Sequence, residues 1–296
     1  MSDASASRPV IFGEVLFDRF PDGSVVLGGA PFNVAWNLQA LGLAPLLVSR
    51  IGRDDLGRRI IDAMTGWGLD TGGVQRDPRQ PTGTVEVTLD DGEPRFDIAA
   101  GRAYDFITAE ELPTPEPGSL LYHGTLALRQ PPPRLALDRL RRTAAGTFVD
   151  VNLRSPWWER TAVLDMLHGA SWAKLNDDEL AQLVPKEPDR ERRASRLLAE
   201  ANLECVVVTL GAEGAVAHGR DGWVHQPPPP AAGQVVDTVG AGDAFSSVVL
   251  LGLSRGWGWP LILERAQELA GAVVGLRGAT TTDRDFYAPF RRDWES

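Results

Sequence analysis

Two aspartates enclose a run of small residues at positions 237–243, within the stretch DTVGAGDAF. An apolar run follows at 244–251 and has the composition of a buried helix. A loop of small residues before a helix exposes backbone N–H groups at the helix N-terminus, where phosphates and other anions are stabilised. Asp243 would then lie in the first helical turn, where an aspartate can either cap the helix or act as a general base.

Other polar residues are also spaced as a binding site requires. Asn176 and Glu179 are three positions apart and would share one face of a helical turn, although a capping pair has the same spacing. The glycine pair at 28–29 lets the chain approach a ligand closely, although a tight turn would also use it. Asp18 can take two hydroxyl groups, because an ionised carboxylate only accepts hydrogen bonds.

The composition limits the classes of partner. The chain has 296 residues, of which 43% are hydrophobic, so it can bury a sizeable core. Its 40 acidic and 30 basic residues give a formal net charge of -10, which argues against nucleic acid or an anionic membrane as the main partner. Cys205 is the only cysteine, which excludes a disulfide framework and a thiolate metal cluster.

The N-terminal segment and the hydropathy pattern bear on location. No apolar run has the length of a transmembrane helix. Residues 1–8 lack the apolar segment of a signal peptide and are expected to form a disordered tail. We therefore expect a cytoplasmic protein with no membrane partner.

Strand-like and helix-like segments alternate along most of the chain, which favours an α/β fold with helices on the faces of a sheet. Strands are expected at 10–20, 46–51, 120–122, 147–151, 170–175 and 205–209. The acidic and polar members of 10–20 suggest that the end of this first strand is not buried. The proline runs at 131–133 and 227–230 are expected to be loops, because proline lacks a backbone donor.

The segment 84–98 interrupts this alternation. Apolar and polar residues alternate with period two on both sides of Asp91-Gly92, a pattern that predicts an antiparallel hairpin. The hairpin could cover a ligand as a lid or pair with a second subunit as an arm, and the pattern leaves both possibilities open.

The chain lacks the P-loop and dinucleotide-binding motifs, but other motifs resemble a known family. DTVGAGDAF is similar to the C-terminal signature D-T-x-G-A-G-D of the ribokinase-like (PfkB) carbohydrate kinases. Other stretches resemble that family in the same order along the chain. They are LGGAPFNVAWNLQALG at 27–42, IGRDDLGRRI at 51–60, KLNDDEL at 174–180 and TLGAEGA at 209–215.

The resemblance implies a ribokinase-like three-layer α/β sandwich with a mostly parallel central sheet and a small β lid. It implies a single kinase domain over 9–296, with lid strands from about 13–33 and 82–106. The implied activity is that of an ATP-dependent sugar kinase, and the implied cofactors are ATP, Mg²⁺ and, as an optional addition, K⁺. The implied partners are the sugar and ATP, and the hairpin at 84–98 could also join a second copy of the chain as a homodimer through the lid.

The resemblance also assigns roles to individual residues. The backbone N–H groups of Gly240, Ala241 and Gly242 would form an anion hole beside Asp243, the general base. The residues implied for sugar binding are Asp18, Gly28, Gly29, Asn33, Arg102 and Arg154, and those implied for ATP binding are Lys174, Asn176, Thr209, Gly211 and Gly214. Asn176 and Glu179 would organise Mg²⁺ through waters. Asp237 would bind a monovalent cation with carbonyl groups near Val239 and at 277–279.

Three stretches bear on the substrate. DVNLRSPWW at 150–158 is similar to fructokinases and to 2-keto-3-deoxygluconate kinases. Its Arg154 can direct two donors toward a keto oxygen, a carboxylate or a phosphate, although a surface salt bridge is the structural alternative. GGAP at 28–31 and RAYDF at 102–106 look more like fructokinases, so fructose is the expected substrate and fructose 6-phosphate the expected product. The alternatives are 2-keto-3-deoxygluconate, ribose or a nucleoside, and, from another class, a non-catalytic sensor of sugar or nucleotide.

Overall fold

The computed structural model describes residues 7–90, 93–220, 222–227 and 236–294. Its strands are β1 (Val10–Phe12), β2 (Leu16–Arg19), β3 (Val25–Gly28), β4 (Leu46–Gly52), β5 (Val74–Asp77), β6 (Gly83–Asp90), β7 (Glu93–Ile98), β8 (Leu120–His123), β9 (Gly146–Asp150), β10 (Trp172–Asn176), β11 (Cys205–Thr209), β12 (Ala215–Gly219) and β13 (Gly222–Gln226). Its helices are α1 (Ala30–Ala40), α2 (Asp55–Trp67), α3 (Pro131–Arg141), α4 (Arg160–Leu167), α5 (Asp177–Leu183), α6 (Arg190–Glu200), α7 (Ala241–Arg255), α8 (Trp259–Val273) and α9 (Arg284–Trp294).

Within the described residues the strands form two sheets. The larger has the order β13-β12-β11-β10-β9-β8-β1-β4-β5. Neighbouring strands pair in parallel from β11 to β5. Strand β12 pairs antiparallel with both β11 and β13. The smaller sheet has the order β3-β2-β6-β7. This is the mostly parallel central sheet with a small second sheet that the sequence predicts.

Helices cover both faces of the larger sheet. Along β11, Cys205 and Val207 point to the side packed by α1, α7 and α8, whereas Val206 and Val208 point to the side packed by α5 and α6. A parallel strand that is buried on both faces reads as a continuous apolar run, which is why the pattern of 205–209 predicts it. The three-layer arrangement is therefore confirmed.

The prediction of one strand over 10–20 is wrong. The chain pairs in the larger sheet as β1 and then in the smaller sheet as β2, and Gly13 lies between them with a φ of 149°. A Cβ on Gly13 would lie 2.5 Å from the Pro31 side chain, so this turn requires glycine. The expectation that the end of this run is not buried is confirmed, since Arg19 and Phe20 are exposed, whereas Glu14 inside the run is only 4% exposed.

The prolines at 131–133 do not form a loop, because α3 begins at Pro131. The first N–H groups of a helix have no partner within the helix, so proline costs little there and its fixed φ suits the first turn. The second proline run falls largely on 228–230, outside the described residues.

The small sheet lies within the two ranges predicted for the lid. The expected hairpin is present, since β6 and β7 pair antiparallel from Val85 with Ile98 onward, and its turn at 91–92 lies outside the described residues. The sheet is attached through a small cluster that includes Leu16, Val85, Ile98 and the fully buried Tyr104. Its opposite end extends toward solvent.

The two ends of the predicted tail differ in what the structure describes. Residues 1–6 lie outside the described residues, whereas Arg8 forms an ion pair with Asp70 at 2.8 Å. No helix among the described residues has both the length and the apolar character needed to cross a membrane.

Candidate active site

The carboxyl ends of the parallel strands meet at one edge of the larger sheet, where ligands bind in open α/β sheets. Asp150 ends β9, Asn176 ends β10 and Thr209 ends β11. Asn176 is in register with Thr209, and Lys174 is in register with Asp150. The sheet thus brings residues that are distant in the sequence to one edge.

Helix α7 begins at this site with the small residues of the GAGD stretch. Gly240 is the N-cap residue and has a φ of 83°, and a Cβ on it would overlap Ala279. The packing against 278–279 therefore requires glycine at this position. The first N–H groups of α7 have no partner within the helix and can bind an anion. This is the geometry that the predicted anion hole of Gly240, Ala241 and Gly242 needs.

Asp243 lies in the first turn of α7 and does not cap it. Its Oδ2 accepts a hydrogen bond of 2.8 Å from Nδ2 of Asn33, in the first turn of α1. Burial is the main influence on the Asp243 carboxyl and, with the nearby Asp150 charge, raises its pKa to about 6, against the lowering effects of Asn33, Lys174 and Arg154. Such a carboxyl is ionised at neutral pH and can still accept a proton from an alcohol.

A buried ion pair lies behind the anion hole. Nζ of Lys174 donates to both oxygens of Asp150, at 2.9 and 2.8 Å. The Ser246 hydroxyl on α7 donates to Asp150 Oδ2 at 2.7 Å, so the pair also holds the helix. The same ammonium lies 3.4 Å from the place that a Cβ on Gly242 would occupy. The ion pair of Lys174 with Asp150 therefore lies at the base of the predicted anion hole.

The residues predicted to bind sugar lie on the other side of Asp243. Asp18 on β2 is half-buried, and burial raises its pKa to about 6 although the Arg154 charge lowers it. A Cβ on Gly28 would lie 3.4 Å from Asp18 Oδ2, so glycine leaves this carboxylate open. Gly29 is the N-cap of α1, and a Cβ there would lie 2.8 Å from the backbone oxygen of Glu14.

The two predicted arginines differ in position. Arg154 is exposed, and its charge is among the main influences on the pKa values of Asp18 and Asp243. Arg102 precedes a short 3₁₀ helix, Ala103–Phe106, at the base of the small sheet, and its backbone N–H donates to Asp105 at 3.0 Å. The structure therefore brings Arg154 to the carboxylates, whereas the contact of Arg102 with Asp105 lies at the base of the small sheet.

The family model of the pfkB carbohydrate kinases matches residues 7–285. The chain belongs to the pfkB family of carbohydrate kinases. A fructokinase of Klebsiella pneumoniae is 32% identical over 259 residues, which cover 82% of this chain and 83% of that protein.

Solved structures of related kinases agree in fold. The crystal structure of a Vibrio cholerae O395 fructokinase double mutant, in fructose, ADP and potassium ion bound form, has a TM-score of 0.83 and 27% identity, and covers 97% of this chain and 99% of that one. Aminoimidazole riboside kinase from Salmonella enterica, complexed with aminoimidazole riboside and an ATP analog, also has a TM-score of 0.83, with 25% identity. It covers 96% of this chain and 99% of that chain.

In this kinase Asn176 and Glu179 form a capping box at the start of α5. Asn176 Oδ1 accepts from the Glu179 N–H at 2.8 Å, and Glu179 Oε2 accepts from the Asn176 N–H at 2.9 Å. The second oxygen of Glu179 accepts from the N–H of Leu153 at 2.7 Å and holds the 150–154 loop. The capping pair, which the sequence left as the alternative to a magnesium site, is therefore present. Each carboxylate oxygen of Glu179 still keeps a lone pair that can accept from a water.

The glycines of the TLGAEGA stretch form the turn between β11 and β12. Gly211 and Gly214 have φ values of 56° and 98°, and the N–H of Leu210 donates to the oxygen of Gly214 at 2.8 Å. Thr209 is half-buried at the end of β11, beside Asn176. The hairpin turn between β11 and β12 is therefore compatible with the predicted ATP-binding role of Thr209, Gly211 and Gly214.

Asp237 connects the two loops that flank the start of α7. Its Oδ1 accepts from the N–H of Val239 at 3.0 Å, and its Oδ2 accepts from the N–H of Gly278 at 3.1 Å. These are the two loops whose carbonyl groups were predicted to bind a monovalent cation. No group of three or more His, Cys, Asp or Glu side chains among the described residues is arranged to hold a metal ion.

Two acidic residues of this edge, Asp150 and Glu14, were not predicted as site residues from the sequence. Glu14 follows β1 and is only 4% exposed. Burial is the main influence that raises its pKa to about 7, and the charges that reach it include those of Arg154 and Asp243. An acidic residue directly after a buried strand, at the edge where ligands bind, was the signal that could have identified it.

Proposed function

We propose that this kinase is an ATP-dependent fructokinase that phosphorylates the 6-hydroxyl group of fructose. The observation that carries the proposal is the position of Asp243, bonded to Asn33 on the sugar side and placed in the first turn of α7, whose N-terminus faces the proposed phosphate side. A general base next to an anion hole is what phosphoryl transfer to an alcohol requires. The similarity to fructokinases supports fructose as the alcohol.

The reaction follows from these positions. Asp243 accepts the proton of the 6-hydroxyl as the O6–P bond forms and the bond from the γ-phosphorus to the bridging oxygen of ATP breaks, which leaves ADP and fructose 6-phosphate. The N–H groups of Gly240, Ala241 and Gly242 stabilise the charge on the transferring group, and the ion pair of Lys174 with Asp150 lies beside Gly242. Asp18, Gly28, Gly29, Asn33 and Arg154 orient the sugar, and Arg102 acts from the lid.

The nucleotide and its ions fit the opposite part of the edge. Asn176, Thr209, Gly211 and Gly214 contact ATP in the proposed arrangement. Glu179 fits Mg²⁺ through water, since Mg²⁺ keeps several waters and takes one or two carboxylates besides phosphates. Bound Mg²⁺ supplies charge neutralisation for the phosphates. Asp237 fits K⁺, because it already holds both loops that would supply carbonyl ligands, and a related fructokinase structure contains potassium.

We also propose a homodimer that forms through the small sheet. Val26 and Phe96 lie on the same face of this sheet as Asp18, and 42% and 47% of their surfaces are exposed. Exposed apolar side chains that share one face indicate an interaction surface. Glutamate at both positions should convert a dimer into a monomer in sedimentation velocity, whereas glutamate at the equally apolar Leu135 on α3, 66% exposed, should not.

A sugar kinase that uses ATP also fits the cytoplasmic location expected from the sequence.

The test of the function is a panel of acceptors at fixed MgATP, with ADP release measured and the product analysed by NMR. The panel contains fructose, ribose, 2-keto-3-deoxygluconate and a nucleoside such as aminoimidazole riboside. We expect the highest kcat/KM for fructose and phosphate on its 6-oxygen. A higher kcat/KM for another acceptor would replace fructose as substrate, and no ADP release with any acceptor would favour the sensor.

A further inference from the structure

Glu14 is buried without a partner for one of its oxygens. It follows β1 near the centre of the larger sheet, at the edge that carries Asp243, and is 4% exposed. Its Oε2 is inaccessible and accepts no hydrogen bond from any described residue. A buried polar atom without a hydrogen bond costs free energy, so its presence at a ligand-binding edge calls for a donor that arrives with the ligand.

A second acceptor without a partner lies close by. Asn33 is 5% exposed, and its Oδ1 also lacks a partner among the described residues. The orientation of its amide is determined by Asp243, since only the Nδ2 end can donate to that carboxylate. The Asn33 N–H bonds to the oxygen of Gly29, and Gly29 packs on the backbone of Glu14. Both acceptors thus belong to neighbouring segments of the sugar side.

The positive charges nearby do not satisfy Glu14. Arg129 and Arg154 influence it electrostatically, but neither forms an ion pair with it among the described contacts. The charge of Arg129 is engaged by Asp105, with bonds of 2.6 and 2.8 Å, and its guanidinium stacks on Trp157 at 4.4 Å. Nη1 of Arg129 has no partner, but it does not bond to Glu14, and no described donor reaches Oε2 of Glu14. A donor for this oxygen must therefore come from the bound molecule or from water.

Sugar hydroxyl groups supply such donors, whereas a carboxylate supplies only acceptors. A sugar acid would place its negative charge near the carboxyl groups of Glu14, Asp18 and Asp243, with Arg154 as the charge-compensating partner. We propose that Glu14 is a specificity-determining residue that accepts a hydroxyl group of the acceptor sugar beside Asn33 Oδ1, and that it selects neutral polyols over sugar acids. This inference rests on the proposed sugar kinase function.

The test compares fructose with 2-keto-3-deoxygluconate in the wild type and in Glu14→Gln. The wild type should prefer fructose. The loss of one partner of a buried hydrogen bond costs enough for a tenfold to hundredfold effect, so Glu14→Gln should lower kcat/KM for fructose by about that factor. The value for the acid should stay equal or rise, and the KM for ATP should stay unchanged. The ratio of the two kcat/KM values is a readout that a purely structural role would not move.

The matched control is Asp77→Asn, which removes another buried carboxylate, one bonded to Arg50 at 2.8 Å outside the cleft. It should lower the melting temperature and leave the substrate ratio unchanged. If Glu14→Gln does not fold, Glu14→Asp keeps the charge and shortens the side chain, and it should also lose fructose preference.

An unchanged ratio in a folded Glu14 variant would overturn the inference, and so would a wild type that prefers the acid. Absence of phosphorylation of every acceptor by the wild type would instead overturn the proposed function itself.

Discussion

The nucleotide side and the sugar side of the candidate active site differ in how their polar atoms are bonded. On the nucleotide side, which we define as Asp150, Lys174, Asn176 and Glu179, the charged groups bond to one another, to Ser246 or to backbone N–H groups. On the sugar side, defined as Glu14, Asp18, Asn33 and Asp243, two acceptor atoms lack partners. Burial raises the pKa of the three carboxyl groups there, as it also raises the pKa of Glu179 on the nucleotide side.

The difference indicates which groups are fixed before a ligand binds. Internal hydrogen bonds hold the nucleotide side in place and reduce the reorganisation that phosphoryl transfer would otherwise require. The sugar side holds two buried acceptors without partners and depends, in the proposed arrangement, on the ligand to satisfy them. Substitutions on the two sides should therefore differ in effect: those on the nucleotide side should lower stability as well as activity, and those on the sugar side should mainly affect activity.

The largest expected effect on activity is that of Asp243→Asn. Without a general base, kcat with fructose should fall by about 10²- to 10⁴-fold, while the KM for ATP stays unchanged. ADP release in a coupled assay measures both values. Asp62→Asn, the same change on the exposed face of α2, is the control and should leave kcat unchanged. Near-normal turnover by Asp243→Asn would rule out Asp243 as the base.

The same substitution should stabilise the fold. The pKa of Asp243 is raised from 3.8 to about 6, so its ionisation destabilises the folded state. This cost is absent below pH 3.8, grows as the pH rises to about 6 and is complete at pH 7. We expect Asp243→Asn to raise the free energy of unfolding by up to about 3 kcal/mol at pH 7 and by almost nothing at pH 4. Urea denaturation at both pH values measures the difference.

Breaking the ion pair of the nucleotide side should lower the stability of the fold. Lys174→Met leaves the buried Asp150 charge without its cation and should lower the free energy of unfolding by about 3–5 kcal/mol. The double variant with Asp150→Asn removes the unpaired charge and should regain part of the loss. Urea denaturation tests both. If Lys174→Met lowers the free energy of unfolding by less than about 1 kcal/mol, the ion pair with Asp150 does not hold the nucleotide side in place.

The hydrogen bond between Asn33 at the start of α1 and Asp243 at the start of α7 should determine how activity depends on pH. Because Asp243 must be ionised, kcat/KM of the wild type should fall as the pH is lowered through about 6. Asn33→Ala removes the hydrogen bond that lowers the pKa of Asp243, so this fall should begin at a higher pH. At pH 7 we expect kcat/KM about tenfold or more below the wild-type value. Asn37→Ala, one turn further along α1, is the control and should affect stability without moving the pH profile.

The smallest effect is expected at Asp237. Asp237→Ala removes the acceptor that joins the Val239 and Gly278 N–H groups. Activation of the wild type by KCl, compared with choline chloride at equal ionic strength, should be lost in the variant. We expect a change in kcat below about tenfold. Equal KCl activation in both proteins would contradict Asp237 as the cation-binding residue.

Much of the architecture could be predicted because its strands are buried on both faces. The apolar runs that became β8 to β11 gave the parallel sheet, and the small residues of 237–243 gave the start of α7. Strand β5 was not predicted, because Gln75 and Asp77 are polar. They are nevertheless buried, since both bond to the guanidinium of Arg50 on β4. A polar network that assembles between strands leaves no apolar signal in either one.

The same limit explains why Glu14 was missed. Glu14 and Asp18 were both in the run interpreted as one strand, and the pattern could not show that the chain changes sheets between them. Burial of a carboxyl depends on neighbours from α1 and α7, which are contributed by distant parts of the chain. The pairing of Asn176 with Glu179 could be predicted, because a capping box is local.

The bond between Asn33 and Asp243 joins residues that are 210 positions apart in the sequence. Every strand of both sheets precedes residue 243, so a growing polypeptide has the sequence for the whole β framework before the proton acceptor has been synthesised. Turnover must wait until α7 has docked onto that framework. The order of synthesis thus delays phosphoryl transfer until the chain is nearly complete.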